Sequence, residues 1–194
     1  VVTATVLSVL LAFPPVAYAA PATVYVTYDI TVDTTWSAGG TYVILKRPEG
    51  STAYNPVIKP GVTLTIEPGA QVVFGTGQVT LGDDQYERAD GLKVNGAIRA
   101  LGTSDAPISF TSATSWDRIE IKQTSAANPV DAVFQNCVFE YGLTMLDIRE
   151  GFVEGGSDVD VSVSGCTFQN PAELDNYRKG IAVYSDLGDR TTSR

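Results

Sequence analysis

A recurring spacing of short apolar pairs restricts this chain more than any other feature. The i, i+2 pairs Leu64/Ile66, Leu92/Val94, Ile119/Ile121, Leu146/Ile148 and Ile181/Val183 begin 28, 27, 27 and then 35 residues apart. A second set, Val79/Leu81, Ile108/Phe110, Cys137/Phe139 and Cys166/Phe168, advances by 29 each time and falls between members of the first. A looser third set, Val72/Phe74, Ile98/Ala100, Ala132/Phe134 and Val161/Val163, fills the remaining gap. Side chains at i and i+2 share one face of a strand, so each pair reads as a strand with an apolar side. Self-similarity at a period of roughly 20–50 residues is the mark of stacked repeats.

Three strands per period let the chain turn three corners and return above its own start. Parallel neighbours then lie about 4.8 Å apart, and the pairs become columns of Leu, Ile, Val and Phe. Their outward neighbours, among them Thr63, Lys93, Glu120, Lys122, Ser162 and Thr167, stay in water. Turn formers separate the strands, and no stretch carries a sustained helical stripe. The longer step to Ile181 falls to turn-rich loops at 154–158 and 170–176. A β-sandwich also has many short strands. Its connections would not repeat one register lap after lap.

Composition removes several functions. The formal charge of -9 repels phosphate backbones and anionic lipid, so nucleic acid is not an expected partner. Histidine is absent, which takes away the usual neutral-pH base and the commonest zinc ligand. Catalysis would fall to carboxylates, Lys, Arg or Tyr. The apolar run VLSVLLAF, the break at Pro14 and Pro15, and the small residues Ala17 and Ala19 read as a signal peptide over 1–19 that lacks its basic n-region. No membrane-spanning segment is expected in the mature chain. Residues 20–60 lack the period and read as an N-terminal capping segment, and 61–194 as the repeats, truncated at the C-terminus with further coils or domains beyond.

The runs KPGVTLTIEPGAQVVFG, GLKVNGAIRALGTSDAPISFTS, WDRIEI and NCVFEYG together resemble the right-handed parallel β-helix family related in fold to pectin lyases. The likeness covers roughly residues 57 to 185 and rests on spacing and residue type, with no catalytic motif. It implies an all-β, three-faced solenoid of about four to five coils, a shape used by exported polysaccharide enzymes, adhesins and other surface proteins.

The outward positions of the first set form the richest polar face. Thr65, Lys93, Glu120 and Asp147 are expected in one column, and Glu67, Asn95, Lys122, Arg149 and Tyr184 in the next. Such a face can bind sugar hydroxyls, with Tyr184 as a stacking ring, and the resemblance implies substrate binding on one parallel face. It also reads as a plain solvated wall where Lys93 beside Glu120 contributes about 0.2–1 kcal/mol. Glu120 and Asp147 would sit near the 4.8 Å ladder spacing, closer than the roughly 6.5–9.5 Å of inverting glycosidases. The acidic stretches 82–90 and 155–160 are candidate calcium loops, although neither matches a calcium-binding repeat.

Cys137 and Cys166 occupy matching places in adjacent coils, where distance permits a disulfide. Parallel in-register side chains do not automatically offer the torsion, so the pair also reads as two stacked thiols. The expected function is a non-enzymatic exported scaffold whose face, Lys93, Glu120, Lys122, Asp147, Arg149 and Tyr184, binds polysaccharide or another cell-surface component. The alternative is a polysaccharide lyase or glycoside hydrolase of the pectin-lyase-like group, with Lys93, Glu120, Asp147 and Arg149 as candidate catalytic residues.

Overall fold

The structure is a computed structural model that describes residues 22–49, 52–75, 77–82, 84–124, 127–150, 159–172 and 179–185. The expected signal peptide and the loop at 154–158 lie outside the described residues, as do parts of the loop at 170–176 and of both acidic stretches.

Short strands follow one another around a closed circuit. After β1 (Thr23–Val26), a first lap comprises β2 (Thr34–Trp36), β3 (Thr41–Ile44), a hairpin of β4 (Arg47–Glu49) and β5 (Thr52–Tyr54), and β6 (Val57–Ile58). The second has β7 (Thr63–Ile66), β8 (Gln71–Phe74), a hairpin of β9 (Gln78–Leu81) and β10 (Asp84–Glu87), and β11 (Gly91–Val94). Then come β12 (Ala97–Leu101), β13 (Ile108–Ser112) and β14 (Arg118–Lys122), followed by β15 (Val130–Gln135), β16 (Cys137–Glu140) and β17 (Thr144–Glu150). The last described lap is β18 (Val159–Ser164), β19 (Thr167–Gln169) and β20 (Lys179–Ser185).

Strands one lap apart pair in parallel and build three sheets. Face one stacks β2, β7, β12, β15 and β18; face two stacks β1, β3, β8, β13, β16 and β19; face three stacks β6, β11, β14, β17 and β20. This is a parallel β-helix. The interior is formed by the columns Leu64–Ile98–Ala132–Val161 on face one, Val72–Phe110–Phe139–Phe168 on face two and Leu92–Ile119–Leu146–Ile181 on face three. Phe139 stacks between Phe110 and Phe168 at centroid distances of 4.8 and 4.7 Å, and Phe74 stacks on Trp116 at 4.7 Å. Such rings add about 0.5–1.5 kcal/mol per pair beyond their burial.

The ladder pattern was right in kind and wrong in its upper members. Leu64/Ile66 stands above Ile98/Ala100 on face one, and the residue above Val94 is Ile58. Val72/Phe74 belongs to face two, above Phe110 and Ser112. Val79/Leu81 leaves the stack altogether and pairs antiparallel with β10. The cause is the β9–β10 hairpin, which lengthens the second lap so that counting one period back from Leu92 reaches the wrong face. The segment 20–60 holds β2, β3 and β6, which pair with β7, β8 and β11 as ordinary rungs, so lap pairing begins ahead of residue 61.

Both hairpins leave the stack at the same corner, between faces two and three, in consecutive laps. They are tied together there: Lys46 N–H donates to Glu87 O at 2.7 Å, Leu45 bridges Arg88 antiparallel, and Lys46 Nζ lies 3.5 Å from Glu87 and 3.7 Å from Asp90.

Candidate functional site

Face three turns its outward side chains into two columns. Register aligns Lys93, Glu120, Asp147 and Ala182 in one, and Lys122, Arg149 and Tyr184 in the other. Thr65 and Glu67 are not among them. Thr65 stands on face one beside Thr35 and Arg99, because β7 is a face-one strand, and Glu67 just beyond β7 accepts a bond from Ala38 N–H at 3.0 Å.

A depression of about 300 Å³ opens on this face, lined by Asn55, Leu92, Lys93, Asp117, Arg118, Glu120 and Arg149. Asn55 arrives from the end of the β4–β5 hairpin. Close approach is possible because position 91 is glycine: a Cβ there would stand 2.3 Å from Arg118 O and 3.2 Å from Asn55 Nδ2. Three of the candidates, Lys93, Glu120 and Arg149, thus line one depression, with Asp147 beneath them. Tyr184 joins at the edge, its ring centroid 5.7 Å from the Arg149 guanidinium carbon.

The charges divide into a locked group and an open one. Asp147 is fully buried; it accepts bonds from Arg118 Nη1 at 2.5 Å and from Arg149 Nη2 at 2.8 Å, while Arg118 Nε donates to Asp117 at 2.8 Å. Burial disfavours an ionised Asp147, but the hydrogen bonds from Arg149 and Arg118 outweigh it and hold the carboxyl below its ordinary value. The bond to Asp117, opposed by burial and helped by Asp147, raises Arg118; the bond to Asp147 does the same for Arg149. A carboxylate gripped on two sides neither gives nor takes a proton readily. Asp147 positions guanidiniums.

The open group is Lys93 and Glu120. Lys93 and Glu120 stand in register, yet no ion pair joins them among the described residues; the nearest cation to Glu120 is Arg149, 4.0 Å away. The Lys93 ammonium has no ion-pair or hydrogen-bond partner among the described residues. Asn55 Oδ1 is buried with no hydrogen-bond partner. Lys122 is half-buried in the neighbouring column and does not line the depression.

Reasoning from sequence missed Arg118, Asp117 and Asn55. Arg118 was readable, since it precedes Glu120 by two and so faces outward with it. Asn55 was not, because its placement depends on a hairpin that breaks the period.

Elsewhere, the stretch 82–90 forms much of the β9–β10 hairpin, where Glu87 and Asp90 face Lys46. Among the described residues no group of three or more Cys, Asp or Glu is placed to share a metal ion, and no helix is long and apolar enough to cross a membrane. Cys137 and Cys166 are free thiols on adjacent laps. Comparison with protein-family models, with curated proteins and with solved structures finds no match to this chain.

Proposed function

We propose that this chain is an exported β-helix scaffold that binds carbohydrate on face three without chemically altering it. The observation that carries the reading is the open pair in the depression: the Lys93 ammonium, which has no partner among the described residues, and the partly exposed Glu120 carboxylate in register with it. A hydroxyl-rich ligand donates and accepts at closely spaced positions, and this set offers both roles. Arg149 and Tyr184 add a planar edge against which a sugar ring can rest. The pectin-lyase-like resemblance supports a glycan ligand by analogy of fold alone.

The rival reading, a polysaccharide lyase or glycoside hydrolase, draws on Glu120, the one candidate carboxylate here that is partly exposed. It would act without Asp147 as a second acid or base, since Asp147 is closed between two arginines.

Glycan-array screening followed by calorimetry tests both readings. Binding of a neutral or acidic oligosaccharide is expected, weakened about 5- to 30-fold by Lys93→Ala or Glu120→Ala, the worth of one or two hydrogen bonds. Binding that ignores both substitutions, or none across the array, refutes the proposal. Sustained turnover lost in Glu120→Gln replaces it with the enzymatic reading.

A further inference from the structure

At the corner between faces one and two, two successive laps turn through a single residue in the left-handed region. These are Asn136, with φ 46°, and Gly165, with φ 62°, and each is followed by a cysteine. The two thiols consequently hold the same pose one lap apart. Cys137 Sγ lies 3.4 Å from Gln135 O and 3.7 Å from Ala100 O, and Cys166 Sγ lies 3.4 Å from both Ser164 O and Phe134 O. The backbone N–H of Cys137 donates to Cys166 Sγ at 3.4 Å, so one sulfur rests against the residue that carries the other. Cα atoms in register on parallel neighbours are about 4.8 Å apart, within the roughly 4.4–6.8 Å that a disulfide spans.

The surroundings say what a link would do. Among the described residues the lap of β18 to β20 is the least covered: Val159, Val161, Val163 and Phe168 are only partly buried, where Val130, Ala132, Phe134 and Phe139 above them are fully buried. On β20, Ile181 and Val183 are 43% and 64% exposed although they continue interior columns. The same lap carries Tyr184 to the edge of the depression. Cys166 belongs to this less covered lap and Cys137 to the buried one.

We infer that Cys137 and Cys166 form an oxidation site that closes to an inter-lap disulfide and fastens the lap bearing Tyr184. Cys166, the more exposed, attacks one sulfur of a low-molecular-weight disulfide as its thiolate, forming a mixed disulfide and releasing one small thiolate. Cys137 then loses its proton to solvent, attacks Cys166 Sγ and expels the second small thiolate. Two protein thiols are oxidised while one small disulfide is reduced to two thiols. Burial, reinforced by neighbouring Cys166, pushes the Cys137 thiol well above its ordinary range, which makes it the second partner to react.

The test incubates the folded chain with oxidised glutathione, blocks remaining thiols after denaturation, and measures intact mass and amide exchange. A monomer lighter by about two mass units and without free thiol is expected, with β18 and β20 amides exchanging at least about tenfold more slowly than in the reduced chain. In Cys137→Ser the reaction should stop at a glutathione adduct on Cys166. Two free thiols, a persistent adduct in the unsubstituted chain, or a link only between molecules would each overturn the assignment, as would a disulfide that leaves the exchange of β18 and β20 unchanged.

Discussion

Phe139 touches stacked rings on both sides, Phe110 at 4.8 Å and Phe168 at 4.7 Å, and is wholly buried. Phe139→Ala should cost about 3–5 kcal/mol in urea unfolding, from lost transfer energy and the cavity left between two laps. Asp147 makes a different contribution. Its carboxyl is held below its ordinary 3.8 in the folded chain, so the stability it adds is present above that value and lost as pH falls through the lowered one. Asp147→Asn should therefore flatten the fall in melting temperature below about pH 4. Near neutrality it should cost less than the roughly 3–5 kcal/mol of a fully buried pair, because the Arg118 and Arg149 side chains are 31% and 40% exposed.

Among the elements, the corners and hairpins set where laps begin and end. Asn136 holds a left-handed conformation and donates from Nδ2 to Gly102 O at 3.1 Å, and Gly165 takes the same role one lap on. Asn136→Ala should destabilise by about 1–2 kcal/mol, with Asn136→Gly milder, because an L side chain that cannot bond locally pays to enter that region. Circular dichroism melts on the three proteins check the order. The match between Cys137 and Cys166 was legible because the same one-residue corner precedes both. Leu64 and Val79 were misplaced for the opposite reason. The β4–β5 and β9–β10 hairpins carry their own alternating strands, and alternation alone cannot tell a hairpin arm from a rung.

At the scale of the whole molecule, the fold was readable because one rule, apolar residues over apolar residues, repeats from lap to lap. The site was readable only in part. Lys93, Glu120, Asp147 and Arg149 follow from register, whereas the burial of Asp147 and the arrival of Asn55 follow from how laps and hairpin pack. Everything on face three depends on that register, and the Phe column of face two reports it most directly. Isotope-labelled chain should give nuclear Overhauser contacts from the Phe139 ring to both Phe110 and Phe168, and none from Val79 or Leu81 to Phe139. Contacts between Val79 or Leu81 and Phe139, or the absence of any between Phe139 and Phe168, would contradict the stacked laps.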